Sequence, residues 1–131
     1  MSNAHKAVYG RLSTFPGLTA LVVARIYPGV MPQNSVMPVV VYHQIGGNSE
    51  KGSLSDPPLK MAQMQVTAFD KTLLGARAVA DQILLALDRL RAQTVNGVAV
   101  DDCIYQGDVD LFDPDTMLYM VPVTFRLHFR E

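Results

Sequence analysis

Three groups of residues have types and separations that chemistry could use. The first is GGNSEKGS at 46–53, where Gly47 and Gly52 are spaced like the glycines of a phosphate-binding loop. Such a loop needs its lysine after the second glycine, at the start of a helix, so that ammonium and helix amides meet the phosphates together. Here Lys51 precedes Gly52, and the chain continues Ser-Leu-Ser-Asp-Pro-Pro, which opens no helix. The second group is Asp108, Asp110, Asp113 and Asp115, dense enough to suggest calcium. A calcium loop takes glycine at its sixth position and a bidentate glutamate at its twelfth, and those places hold Asp113 and Tyr119. No acid-x-lysine follows Pro114-Asp115, so a nuclease motif fails as well, and these carboxylates read as solvated turn and strand-end groups. The third group is His5, His43, His128 and Cys103: the histidines lack paired zinc-ligand spacing, and a lone cysteine in a strand reads as a small buried hydrophobe. GxSxG, HExxH and dinucleotide fingerprints are absent from the sequence. The residues therefore point to a protein that is not an enzyme and uses no cofactor and no metal.

Composition narrows the classes further. A chain of 131 residues, 49% of them hydrophobic, makes one domain over 1–131 with a core of its own. Eleven Lys and Arg against twelve Asp and Glu leave a net charge of −1, which removes the whole-molecule field that recruits nucleic acid or anionic lipid. A single cysteine excludes an intrachain disulfide and fits synthesis in the cytosol. The start, MSNAHKAVYGRL, lacks the apolar stretch of a signal peptide, and no run approaches the roughly eighteen apolar residues of a membrane span. Ser2-Asn3-Ala4 reads as an addition left by expression and is set aside from the fold.

The elements that must position these residues follow from periodicity. Ala7, Val8, Leu12 and Phe15 recur at helical spacing until Pro16-Gly17 stops the run. Residues 18–24 make either a further helical turn or a lead-in to a short strand at Arg25-Ile26-Tyr27. Residues 39–45 form a β-branched strand well inside a sheet, and 62–68 alternate cleanly between Ala62, Met64, Val66, Ala68 and Gln63, Gln65, Thr67. One face of the sheet is thus covered and the other is wet or meets a polar partner. From 72 to 93 a stripe through Leu73, Ala76, Ala80, Ile83, Leu84, Leu87 and Leu90 predicts a long helix, capped by Asp70 or Thr72 and followed by a turn at Asn96-Gly97. Its polar side carries Arg77, Arg89 and Arg91. Residues 98–109 and 118–130 make a second hairpin around Asp113-Pro114-Asp115, and Pro122, which has no amide hydrogen, favours a sheet edge or a bulge.

Together these predict an α+β domain: a mostly antiparallel sheet of about four to five strands with two helices packed on one face. The connection between the first two long strands is anomalous. A hairpin closes in about two to five residues, whereas residues 46–58 are polar and far more numerous. Such a segment suits a limb that orders when a partner arrives, with Asn48, Glu50 and Lys51 as its polar contacts. Met31, Met37, Met61, Met64, Met117 and Met120 fall in or near strands, where thioethers fill a core or line an adaptable interface.

The motifs Tyr27-Pro28, Pro32-Gln33, Pro38 before a strand and Phe69-Asp70 before the long helix, in the run RIYPGVMPQNSVMPVVVYHQIGG and the strand ending TAFD, carry a resemblance. Over most of its length the chain resembles the tail-completion or tail-terminator proteins of long-tailed phages and prophages, the family of the minor tail protein U of phage lambda. That resemblance implies a structural virion subunit that forms a hexameric ring, caps the tail tube at its head-proximal end and stops its polymerisation. The implied partners are further copies of the chain, the tail tube protein and the head-tail connector protein, met in the bacterial host cytoplasm and kept in the virion tail. A head-tail connector subunit is the nearest alternative, and a small ligand-binding domain or enzyme a more distant one. Deletion of residues 48–55 should leave a domain that melts cooperatively yet no longer finishes tails; normal tail lengths in electron micrographs would reduce the segment to a spacer.

Overall fold

The computed structural model describes residues 3–49, 59–88 and 90–130, with residues 48 and 49 described by their backbone alone. In chain order the elements are α1 (Asn3–Ser13), α2 (Pro16–Val22), β1 (Ile26–Pro28), β2 (Val39–Ser49), β3 (Leu59–Asp70), α3 (Leu73–Leu87), β4 (Gln93–Val95), β5 (Val98–Asp108), β6 (Leu111–Asp113) and β7 (Leu118–Arg130). The class is α+β as expected, but among the described residues there are seven strands and three helices. The sheet runs β1-β2-β3-β7-β5-β4 with β6 paired to β7, and β1 joins β2 in parallel while the other pairings are antiparallel.

Alternation along the strands decides where the core sits. Val40 and Tyr42, then Ala62, Met64, Val66 and Ala68, then Val121, Val123, Phe125 and Leu127 share the face on which the helices lie, and all are buried with Leu12, Leu18, Ile83 and Leu87. All three helices contribute to that one cluster, as the one-sided packing predicted. The opposite face bears Gln63, Gln65, Thr124, Arg126 and His128, none of them buried. It is not wet throughout, however, since Val39, Val41 and Thr67 also point that way and are buried.

Several boundaries differ from the periodicity reading for identifiable reasons. Helix α1 begins at Asn3, and Ala4 is fully buried in the core, so this short segment belongs to the fold. Residues 16–22 are a helix with proline in its first turn, and the strand after it is β1. Helix α3 ends at Leu87, where Asp88 turns extended, rather than near Gln93. Leu90 remains buried past that end, which prolongs the apolar stripe without prolonging the helix. Thr72 supplies the N-cap, accepting from the Gly75 amide at 3.1 Å. Gln93–Val95 then folds back as β4 on β5.

The expected polar linker is shorter than residues 46–58, because β2 continues through Ser49 and β3 begins at Leu59. Gly47 pairs with Ala62, and a Cβ there would come within 2.9 Å of the Met61 carbonyl, so glycine serves the close approach of two strands. Pro122 lies in β7, at the centre of the sheet, and not at an edge. It is tolerated because β5 pairs with β7 from Val123 onward and β6 only up to Met120, leaving residues 121 and 122 opposite a gap.

The β4–β5 turn is fixed by Asn96 (φ 51°) and Gly97 (φ 80°), both left-handed as a two-residue hairpin requires. Nothing lies within 4 Å of a Cβ placed on Gly97. Gly97→Ala should therefore lose only conformational ease, about 1 kcal/mol, whereas Gly47→Ala should cost more by forcing β2 from β3. Chemical denaturation checks this through the midpoint at constant slope.

Candidate interaction surface

The acidic run that resembled a metal loop organises a surface instead. Strand β3 occupies one side of β7 along its whole length, so β6 must lie on the β5 side, and β5 and β6 together form one interrupted margin of the sheet. The interruption at residues 109 and 110 turns side chains outward. Val109 is 50% exposed, Leu111 44%, Phe112 43% and Met117 65%, so apolar side chains reach solvent along this margin. Phe112 packs against Tyr119 with ring centroids 4.8 Å apart, and Tyr105 meets Phe125 edge-on at 6.2 Å, so the aromatic part of the patch is anchored to β7.

Charged groups brace this margin against α3. Arg77 donates from Nε to Asp110 Oδ1 at 2.7 Å and from Nη2 to Asp108 Oδ1 at 3.2 Å, while Tyr105 donates its hydroxyl to Asp108 Oδ2 at 2.9 Å. The Arg77 hydrogen bond, aided by that of Tyr105 and partly opposed by desolvation, holds the Asp108 carboxyl below its usual range. The same contact raises Arg77, and the Asp108 carboxylate raises the Tyr105 phenol by holding its proton. Asp113 acts locally, accepting from the Asp115 amide and the Thr116 hydroxyl, both at 3.0 Å, and so shapes the turn between β6 and β7.

The residues nominated from sequence are not brought together. Arg77 sits in the brace, Arg91 is exposed beyond the end of α3, and Asn48 lies in β2, its backbone opposite Met61. Glu50, Lys51 and Arg89 fall outside the described residues. Met64 is core, whereas Met117 is surface. Leu111 and Phe112 were missed, although two large apolar residues between aspartates are a readable sign of exposure.

The groups that would carry catalysis lie apart. Cys103 is buried against Leu127, and burial pushes its thiol up to about 12, far from a reactive thiolate. His43 pairs across the strands with Gln65 on the other face, and His128 Nδ1 lies 2.7 Å from Asp102 Oδ1. Among the described residues no cluster of His, Cys, Asp and Glu could hold a metal ion. A groove of about 410 Å³ between α1 and β4 is lined by Tyr9, Arg11, Thr14, Gln93 and Asn96, and includes none of these groups. No helix among the described residues is long and apolar enough to cross a membrane.

The described residues thus form a small α+β domain with apolar side chains exposed along one margin of its sheet. The family is given by its sequence: residues 6–130 match the model of the tail completion protein gp17 family, and the chain belongs to that family. It is thus a structural phage tail-completion protein and not an enzyme. None of the curated proteins compared matches it. Among solved structures, a chain of the virion of a native gene transfer agent particle shares its fold, with a TM-score of 0.75 and 16% identity over 95% of this chain and 92% of that one.

Arg77→Met should cost at most about 1 kcal/mol at neutral pH, because the pair is partly solvated. The sign follows from the lowered carboxyl: its contribution is present above the unfolded value of 3.8 and is lost as pH falls through the folded one. Wild type and variant should converge in stability at low pH, and Asp108 should titrate higher in the variant by NMR.

Proposed function

We propose that this protein closes the head-proximal end of a phage or prophage tail tube, ends tube polymerisation and offers the surface on which the head is joined. The observation that carries this reading is membership of the tail-completion family across nearly the whole chain. The occurrence of the same fold in a gene transfer agent virion supports it. The protein works as a homomeric ring, expected to be hexameric, between the tube protein and the head-tail connector protein. It is assembled in the host cytoplasm and stays in the virion tail.

A ring suits the physics of capping. A cap must match a tubular end all round, and copies of one small domain meeting through unlike patches generate that symmetry. The bracing of the β5–β6 margin by Arg77 keeps such a patch in shape before contact. Polar contacts from Asn48, Glu50, Lys51, Arg89 and Arg91 would add register and selectivity more than affinity.

In a prophage deleted for this gene, tubes should grow beyond their normal length and heads should remain unjoined. Purified protein added to the lysate should restore joining to tubes of correct length. Normal tails without the gene would overturn the reading.

A further inference from the structure

The tip of the β4–β5 hairpin rests on α1. The Asn96 carboxamide donates from Nδ2 to the Lys6 carbonyl at 3.2 Å, across 90 positions of chain. Turn and helix touch directly there, since a Cβ placed on Gly10 would lie 2.7 Å from the Asn96 Cβ and 3.2 Å from Val95 Cγ1. Arg11 ties α1 to α3 separately, donating from Nε to the Ala86 carbonyl at 2.7 Å. Among the described residues, the hydrogen bond that joins turn to helix is that one side-chain amide. The same residue carries a latent reaction. Of the four asparagines, at 3, 34, 48 and 96, only Asn96 precedes glycine, a successor with no side chain to hinder attack of its nitrogen on the carboxamide. Asn96 and Gly97 are both exposed, and nothing lies within 4 Å of a Cβ on Gly97. The ladder pairs Val95 with Val98, which leaves the Gly97 amide outside it.

We propose that Asn96-Gly97 is a modification site, at which spontaneous deamidation irreversibly unlatches the β4–β5 turn from α1. The Gly97 nitrogen, its proton lost to solvent, bonds to Asn96 Cγ; the Cγ–Nδ2 bond breaks, Nδ2 leaves as ammonia with a proton taken from water, and a cyclic imide closes. Water then opens the imide at either carbonyl, giving aspartate or isoaspartate. Both products carry a carboxylate, which accepts hydrogen bonds and donates none, so the bond to the Lys6 carbonyl cannot re-form. While the turn is docked, that bond holds the carboxamide away from free rotation and keeps the leaving nitrogen engaged, which retards the reaction. Local opening of the hairpin tip removes the restraint. The Lys6 ammonium can approach the new charge, but an ion pair on the exposed surface contributes little. The groove between α1 and β4, of which Asn96 is one wall, widens as the turn leaves.

The test follows conversion at Asn96 by peptide mapping with isoaspartate detection, on the full chain held at mildly alkaline pH. Folded wild type should convert slowly, and the same chain in denaturant several-fold faster. Gly10→Ala improves the helix, and its added methyl meets only Asn96 and Val95. It should convert Asn96 several-fold faster than wild type while Asn34, exposed and followed by serine, is unaffected. In the wild-type product, separated by its added charge, amides of α1 and β4 should exchange hydrogen several-fold faster than before conversion, and Asn96→Asp should reproduce that change. If Gly10→Ala melts early, exchange in Asn96→Asp decides instead. The proposal is overturned by folded wild type that never converts or converts as fast as the denatured chain, by equal rates in wild type and well-folded Gly10→Ala, or by unchanged exchange in the product and in Asn96→Asp.

Discussion

The structure depends on one pairing, that of β3 with β7. It runs without a register shift from Leu59 opposite Arg130 to Asp70 opposite Tyr119. Because side chains alternate, this register decides for both strands which residues enter the core, and a slip by one would expose Met64, Val66, Phe125 and Leu127 together. Burial of each large side chain is worth about 1.5–3 kcal/mol, so the register is held by a sum that no turn or surface ion pair approaches. The neighbouring strands are less regular: β2 shifts register at residue 45, and β5 at residues 101 and 106. Regularity at the centre permits irregularity at the margins.

That gradient explains what the sequence revealed. The bounds of β7 were legible because alternation from Leu118 to Arg130 is unbroken, and the core of β3 because small and apolar residues take every second place. The stripe of α3 was legible, but its end was not, since Leu90 keeps the period from a position outside the helix. Strand β1 was legible to within one residue of Arg25-Ile26-Tyr27, whereas β4 and β6, three residues each, exist only through their partners, so no local period announces them. Gly46-Gly47 read as loop because glycine usually marks one; across from Gln63 and Ala62 it marks crowding instead. Of the surface residues, Arg77 was legible as a cation on a helix, yet its carboxylate partners lie 31 and 33 positions away, a distance only the fold closes.

The irregular margins also constrain how copies or partners meet. Open strand edges invite indiscriminate pairing, and bulges in β2 and β5 together with Pro28 in β1 disrupt the flat ladder that such pairing needs. Contact must then be made by side chains, which carry selectivity that backbone amides lack. The break between β5 and β6 serves both ends: it sits opposite Pro122, which has no amide hydrogen to give, and it turns Val109, Leu111 and Phe112 outward. One proline in a central strand thus has its counterpart in an exposed patch on the neighbouring one.

A net charge of −1 conceals the remaining property of the surface. Part of the cancellation is between neighbours, Arg77 with Asp108 and Asp110 and Arg130 with Asp101, and the rest is spread unevenly along the chain, so a field that vanishes far away persists within a Debye length of about 10 Å. A molecule of this kind is indifferent to polyanions at a distance yet selective in orientation once another surface is close. Such selectivity is what separates closed assembly from aggregation: two exposed apolar margins on a uniformly charged or uncharged domain would adhere in any combination. Carboxylates oriented by Arg77 beside exposed Leu111 and Phe112 admit only a surface that satisfies polar and apolar groups together, and so adhere to fewer partners than bare apolar groups would.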